Sequence, residues 1–413
     1  MTDPVRQQYE ALPYPPRNPQ DETKRLVTGS PSRLAELNHF VFGGRRDFSQ
    51  PFRALVAGGG TGDAAIMLAQ QLADAGATAA EVVYLDWSSA SRQVAEARAK
   101  VRKLQNIRFV TGSLLEIEAL GLGRFDYIDC CGVLHHLPDP AAGLQGLVAA
   151  LADGGGMGLM LYGRLGRTGV YAVQDLLRAL LGDGDDVPAR LQVAKKLLAQ
   201  LPATNWLKRN PFVTDHVVEG DAGIFDLLLH ARDRAYDVRE IAQFAAGAEL
   251  RIVSFVPPAR YEPASYLSDA ALLKRLEGAP MLERAAFAEN AAGNIKSHVF
   301  YVVRSANRVA PPLPDRETAI PLFCEPDVAE KARGFKPGAM LTAGVDGWTA
   351  KLPLPALTPA IAELIDGRRS LGEIYREIQK RRSDVSWADF LGQFRLFYAA
   401  FHGVGHLMLR LPG

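Results

Sequence analysis

The sequence has little cysteine, almost no charge imbalance and no long apolar run. Cys130, Cys131 and Cys324 are its 3 cysteines among 413 residues, too few for a disulfide framework and suited to a reducing compartment. Lys and Arg number 47 against 46 Asp and Glu, a formal net charge of +1, so no global field draws nucleic acid or an anionic membrane. No stretch approaches the roughly 18 apolar residues of a membrane span, and the opening MTDPVRQQYE lacks an apolar leader segment. A cytoplasmic protein without a membrane span is expected. The one basic run, Lys380-Arg381-Arg382, falls near a helix C-terminus, where cations are favourable. Around it Lys and Arg barely outnumber Asp and Glu, so nucleic-acid binding finds no strong signal. Internal repeats and low-complexity tracts are also missing.

What is present is enough apolar residue, 48%, for a large core and about two or three domains. The chain is organised around 52–62, FRALVAGGGTG. An apolar run breaks into Gly58, Gly59, Gly60, Thr61 and Gly62, and a helical pattern follows with Ile66, Leu68, Ala69 and Leu72. Glycines permit a sharp turn and close approach of a ligand to the backbone, and amides at the helix start offer donors to a polar group.

Strands are predicted at 52–57, 81–85, 107–110, 125–131 and 155–162, and helices at 63–75, 88–103 and 140–151. This alternation predicts an α/β, doubly wound, Rossmann-like sheet with helices on both faces. Asp139-Pro140 is a helix start, with Asp as cap and Pro in the first turn. Gly154-Gly155-Gly156 reads as the turn into the fifth strand. Over 164–235 the rhythm breaks: 169–181 and 189–201 read as helices and 205–221 as loop. It returns with a helix at 238–247, a strand at 250–256, a helical stretch at 266–289 and a strand at 298–304.

Four parts follow. Residues 1–50 form an N-terminal arm and cap, its prolines from Pro13 on predicting an extended course for 9–17 and a short helix beyond Ser30-Pro31. Residues 51–163 and 236–305 form the core, and 164–235 a helical insertion facing the substrate. Residues 306–413 hold the proline-rich linker at 309–314 and a C-terminal module. Helix starts at Thr358-Pro359, at the capping box Ser370–Glu373 and at Ser386, with a strand at 407–411, predict a winged-helix-like unit.

Asp86 ends the second strand, where an acid in doubly wound folds accepts hydrogen bonds from a ribose; it could equally cap the next helix. With the glycine turn it points to a nucleoside ligand. Gly60-Thr61-Gly62-Asp63-Ala64-Ala65 fits the G-x-G-x-x-A pattern of nicotinamide-dependent oxidoreductases, though two residues after the first glycine of the turn. A binding module without turnover is a further alternative.

Further along, FDYIDCCGVLHHLPDP occupies 125–140. With AGGGTG, YLDWS and ADGGGMGLMLYG, it occurs in the order found in class I S-adenosylmethionine-dependent methyltransferases, which residues 52–163 resemble. The Tyr-x-x-x-Pro-Tyr-Pro-Pro arm is similar to that of one bacterial branch. The resemblance implies a seven-stranded sheet with the last strand antiparallel, and transfer of a methyl group from S-adenosylmethionine. It implies that Gly58, Gly60 and Gly62 underlie the methionine part of the cofactor, that Asp86 holds the ribose hydroxyls, that Trp87 lines the adenine, and that Ser113 and Leu114 sit at the adenine edge. The family often has an acid where Val56 stands and Asp where Ser113 stands. The amino group of the methionine part would therefore meet backbone carbonyls near Cys130 and Cys131, or another acid.

The acceptor is a small molecule or a protein, with the small molecule slightly preferred. His135 and His136 follow the fourth strand, where ligands of open sheets collect; either could serve as base or shape the loop, and His136, directly before Leu137, is preferred as the catalytic one. Adjacent cysteines on a strand face opposite ways and no spaced C-x-x-C pair exists, so no metal is expected. Asp215, His216, Asp226, His230 and Arg232 form a polar set within the insertion. Tyr9 and Tyr14 either pack the arm or cover the ligand. Arg164 and Arg167, just after the fifth strand, either hold an acidic acceptor group or are solvated. Tyr14, Arg164, Asp215 and His216 are the acceptor-side candidates.

Overall fold

In the computed structural model, which describes residues 4–182, 184–345 and 347–412, one sheet carries the core. Its strands are β1 (Phe52–Ala57), β2 (Ala80–Asp86), β3 (Ile107–Thr111), β4 (Phe125–Cys131), β5 (Leu151–Tyr162), β6 (Leu250–Val256) and β7 (Ser297–Arg304). They lie in the order β3-β2-β1-β4-β5-β7-β6. The first five run parallel, and β7 is antiparallel to both β5 and β6. The near-continuous burial of β1 and β2 reflects helices on both faces.

Local signals start the helices. After α1 (Pro4–Ala11) and the short α2 (Leu34–Glu36), the chain forms α3 (Asp63–Asp74) and α4 (Ser89–Val101), and Ser88 caps α4 by accepting the Ser91 amide. Asp139 caps α5 (Pro140–Ala150), accepting the amides of Ala141 and Ala142. The insertion holds α6 (Val170–Leu180), α7 (Val187–Gln200), α8 (Asp215–Val218) and α9 (Gly220–Leu228), packed around Val173, Leu177 and Phe225. A full capping box of Asp237 and Glu240 opens α10 (Val238–Gly247), and α11 (Ala270–Leu276) and α12 (Met281–Ala292) complete the core.

Several expectations change. The segment 9–17 is not extended throughout, because α1 continues through Tyr9 to Ala11; the chain leaves the helix at Leu12, directly before Pro13, and stays non-helical through Asn18. The stretch 205–221 is not all loop, since it contains α8 and the start of α9. The stretch 266–289 is two helices, parted at Gly278-Ala279-Pro280. The triplet Gly154–Gly156 is not a turn: β5 runs through it, and its register with β4 jumps between Phe125↔Leu151 and Tyr127↔Gly156, an irregularity glycine accommodates.

The C-terminal module is mostly helical. It contains α13 (Pro326–Arg333), α14 (Thr358–Leu364), α15 (Leu371–Arg381) and α16 (Trp387–Gly403), with the antiparallel pairs β8 (Ile320–Phe323) with β11 (Leu407–Arg410) and β9 (Met340–Val345) with β10 (Trp348–Pro353). Its own core is aromatic, with Phe390, Phe394, Phe397 and Phe401 on α16. It also seals the sheet domain. Met408 is fully buried in a cluster with Phe40, Phe52 and Tyr301, Leu411 donates its amide to the Gly44 carbonyl at 2.8 Å, and Arg33 pairs with Glu325 at 2.6 Å.

This shared core sets an expectation. Met408→Ala should cost about 2–5 kcal/mol, with Trp87 in the core and Trp387 in the module reporting one coincident transition in urea. Separate transitions, with only that of Trp387 moved, would show that the two cores fold independently.

Candidate cofactor and acceptor site

A cavity of about 360 Å³ opens at the C-terminal ends of β1, β2 and β4, where the strand order reverses. Its floor is the glycine turn. Gly58 has φ +74° and a Cβ there would lie 2.2 Å from Val133 Cγ2, so the backbone approach requires glycine. Gly60 has φ +51°, and its missing Cβ leaves room for the Tyr14 carbonyl.

Asp86 holds this turn in shape. Its carboxylate accepts the Gly60 amide and the Ser88 amide, each at 2.8 Å. A carboxylate has about four lone-pair sites, so capacity remains for an outside donor. Burial raises its pKa, against the pull of those amides. Trp87, Ser113 and Leu114 line the same end, and Ser113 also caps a short turn by accepting the Leu115 amide.

On β4, alternation directs Asp129 and Cys131 to the cavity and Cys130 away, into the main core. Asp129 is 2% exposed and accepts a 2.5 Å hydrogen bond from Ser32 Oγ. Burial pushes its pKa up to about 6, opposed by the Ser32 and Cys131 hydrogen bonds. It is an acid the sequence left unassigned, and the period-two alternation of β4 was the signal for it.

The other end of the cavity is lined by Tyr9, Tyr14, His136, Tyr162 and Asp226. Tyr14 donates to Glu219 at 2.6 Å, tying the arm to the insertion. His136 Nδ1 lies 2.7 Å from the Arg232 carbonyl, which makes Nδ1 the donor and leaves the Nε2 lone pair free in the neutral ring. Its ring stacks on His230 with centroids 3.8 Å apart. Burial lowers its pKa.

Other residues named from the sequence lie elsewhere. His135 is outside the cavity lining, buried against Tyr162 with ring centroids 4.0 Å apart and neither ring nitrogen hydrogen-bonded. Burial and the neighbouring His136 push its pKa well below the ordinary value. Gly62, with φ +103°, packs against Ala95 rather than lining the cavity. Arg164 pairs with Glu240 on the surface. Asp215 and His216 are half-buried at α8 and do not reach the lining. Tyr162 is an acceptor-end residue that the sequence did not name, and Asp226 stood in the insertion's polar set but not among the acceptor-side candidates.

The arm forms the roof. Glu10 accepts the Ser89 and Ala90 amides at 2.7 and 3.0 Å, Ser88 Oγ donates to the Tyr9 carbonyl, and Arg17 pairs with Asp63 at 2.7 Å. The residues fit an S-adenosyl group: an acid for ribose hydroxyls, a second acid for an ammonium, an indole beside Asp86, and a floor that any Cβ would obstruct. Among the described residues no cluster of His, Cys, Asp or Glu could hold a metal ion, and no helix is long and apolar enough to cross a membrane.

Asp129 gives a pH signature. Its folded pKa of about 6 exceeds the usual carboxylate value of about 3.9. Between those values the folded state binds more protons, so stability falls as pH rises from about 4 past 6, by at most about 1.4 kcal/mol per unit. Asp129→Asn should remove that contribution, seen as a shallower decline in urea midpoints across the window. Parallel profiles would show that Asp129 titrates as in the unfolded chain.

Comparison with known proteins agrees with this geometry. An uncharacterised protein of Synechococcus sp. is 29% identical over 271 residues, which is 64% of this chain and 62% of the relative, so the match spans less than two thirds of that protein's length. PKMT2 from Rickettsia typhi, in complex with AdoHcy, superposes with a TM-score of 0.60 at 13% identity, over 92% of this chain and 75% of the other. A second structure of PKMT2 gives 0.62 at 14% identity, over 96% and 78%. These likenesses establish a shared fold that extends through the C-terminal module. Residues 55–157, which run from β1 to β5 and include the glycine turn, Asp86 and the histidine loop, match the family model described as a methyltransferase domain.

Proposed function

We propose that the chain transfers a methyl group from S-adenosylmethionine to an acceptor nucleophile, releasing S-adenosylhomocysteine. The observation that carries this reading is the joining, in one cavity, of the glycine turn and Asp86 at one end with a tyrosine- and carboxylate-lined end at the other, the first of these ends lying in the segment matched by the methyltransferase-domain model. The sheet order supports it against a nicotinamide oxidoreductase, whose classic order is 3-2-1-4-5-6, whereas here antiparallel β7 lies between β5 and β6.

The cofactor supplies a methyl group on a positively charged sulfur. The chain's own task is alignment and exclusion of water, an effect worth up to about 7–11 kcal/mol. Asp86 and the turn amides would hold the nucleoside and Asp129 the ammonium. His136, neutral and with Nε2 unprotonated, would face the acceptor as a hydrogen-bond acceptor. Tyr9 and Tyr14, carried by the arm, would close the site.

The acceptor under this reading is a small molecule, supported by a cavity roofed by the arm. A protein acceptor docked by the C-terminal module is the second reading, supported by the module's seating against the sheet domain. Labelled methyl donor with fractionated cell extract separates them: label is expected in small solutes, and label in protein would favour the second.

The cofactor reading has its own test. Calorimetry should show S-adenosylhomocysteine binding to the full chain, weakened in Asp86→Ala by about 1.5–3 kcal/mol. Wild-type affinity in that variant would remove Asp86 from the site. No binding by either protein would overturn the methyltransferase reading.

A further inference from the structure

At the end of the cavity away from the glycine turn stands a carboxylate with no cationic partner in contact among the described residues. Asp226, on α9, is 7% exposed and lines the cavity. It receives hydrogen bonds from two phenols, Tyr9 to Oδ1 at 3.2 Å and Tyr162 to Oδ2 at 3.3 Å. The nearby guanidinium of Arg167 is committed elsewhere. It pairs with buried Asp233 at 2.6 Å and lies over the Tyr162 ring at 3.8 Å. A buried anion is normally paired, and Asp226 retains acceptor capacity beyond its two long phenolic bonds.

Beyond the Arg167–Asp233 pair, the phenols and imidazoles around it are neutral. His230 Nδ1 accepts the Arg232 amide at 3.1 Å, so its proton sits on Nε2, 3.3 Å from the Tyr9 oxygen. That proton is donated to Tyr9, whose own proton goes to Asp226. Burial, then the neighbouring His136, drive the His230 pKa well below the ordinary value. His136 is likewise held neutral by burial. Burial pushes the phenols of Tyr9 and Tyr162 well above the ordinary value, and Asp226 contributes to both shifts. Tyr14 adds a third aromatic wall and is raised for the same reasons. Aromatic walls and one unmatched negative charge favour a cation.

We propose, building on the methyltransferase reading, that Asp226 with Tyr9 and Tyr162 forms the subsite for a protonated amine acceptor and takes the proton that must leave before methylation. The ammonium gives one proton to Asp226, leaving a neutral amine with a free lone pair. That lone pair forms the nitrogen–carbon bond to the methyl as the carbon–sulfur bond breaks, its electron pair remaining on sulfur, which becomes a neutral thioether. The methylated ammonium departs, and the Asp226 carboxylic acid returns its proton to water.

The choice of amine over alcohol rests on the buried carboxylate and its aromatic surround, which suit a cation, and base strength agrees. Burial pushes the Asp226 pKa up to about 7, opposed first by Arg167 and then by the Tyr9 hydrogen bond. An alkylammonium near about 10.4 lies within its reach. A hydroxyl with the acidity of water, about 15.7, does not.

The test uses the full chain with carboxyl-labelled aspartate, followed by carbon NMR. The Asp226 signal is identified by its loss in Asp226→Asn. It is identified again by Tyr162→Phe, which should raise its titration midpoint by removing a hydrogen bond to the carboxylate, so the assignment survives failure of either variant to fold. n-Butylammonium chloride should shift the Asp226 signal saturably and lower its midpoint, while n-butanol and sodium chloride at equal concentration should not. In folded Asp226→Asn, stabilisation against heat by n-butylammonium should weaken at least tenfold. An Asp226 signal that responds to both probes alike, or to neither, would overturn the proposal. S-adenosylhomocysteine affinity measured on the same samples keeps the two readings apart: its absence sinks the cofactor assignment, while the Asp226 response is read without it.

Discussion

The guanidinium of Arg98 is the interaction on which the site depends. It sits on α4 and is 1% exposed. It reaches Glu22 in the arm twice, at 2.9 and 2.6 Å. It also donates to the Thr61 carbonyl at 2.8 Å and to Asp63 at 2.6 Å. One buried cation thus fastens the arm, the glycine turn and the start of α3 to the helix behind them. A charge so deep tolerates no missing partner, since breaking such a set leaves an uncompensated ion and costs about 3–5 kcal/mol. Arg17 on Asp63, and Thr61 Oγ1 on the Pro15 carbonyl at 2.8 Å, extend the same clamp to the roof. The shape of the cofactor floor and the placement of Tyr9 and Tyr14 are therefore one property of the fold.

The cavity joins two kinds of structure with different physical roles. The sheet end is backbone-built: strand termini, glycine amides and carboxylates fixed by amide hydrogen bonds. The far end is side-chain-built, with Tyr9 from α1, His136 from the loop after β4, Tyr162 from β5 and Asp226 from α9. Binding of a common cofactor needs the first, and choice of acceptor needs the second. Residues on the insertion can change without moving the floor, which fits the general separation of scaffold from variable connecting segments.

The legible parts of the sequence were the locally determined ones. The run FRALVA, the glycines after it, the capping pairs Asp139-Pro140 and Ser370–Glu373, and the acid ending β2 each depend on neighbours a few residues away. The illegible parts depend on distance along the chain. Asp226 stood in a recognised polar set, but its meeting with Tyr9 spans 217 positions, and no periodicity encodes that. Gly220 and Gly223 hid α9, because glycine argues against helix while packing of Ile224, Phe225 and Leu228 into the insertion core overrides it. Asp129 was available in principle from the alternation of β4, and was obscured by the adjacent cysteines. The extended reading of 9–17 extrapolated a rule that binds only the residue directly before a proline.

The position of β7 has a consequence for how the molecule is made. Strands β1 to β5 can assemble from crossovers as they are synthesised, each finding a neighbour already present or soon to follow. Strand β6 cannot, because in the finished sheet its partner is β7, which ends at Arg304. Until that point the nascent chain presents two open strand edges, on β5 and on β6, and unpaired edges are templates for wrong association. The ribosome adds about 5–20 residues per second, so the 40 or so residues between β6 and β7 represent several seconds of exposure. Closure of the sheet is thus a late, single event, in which one hairpin-like insertion satisfies both edges together.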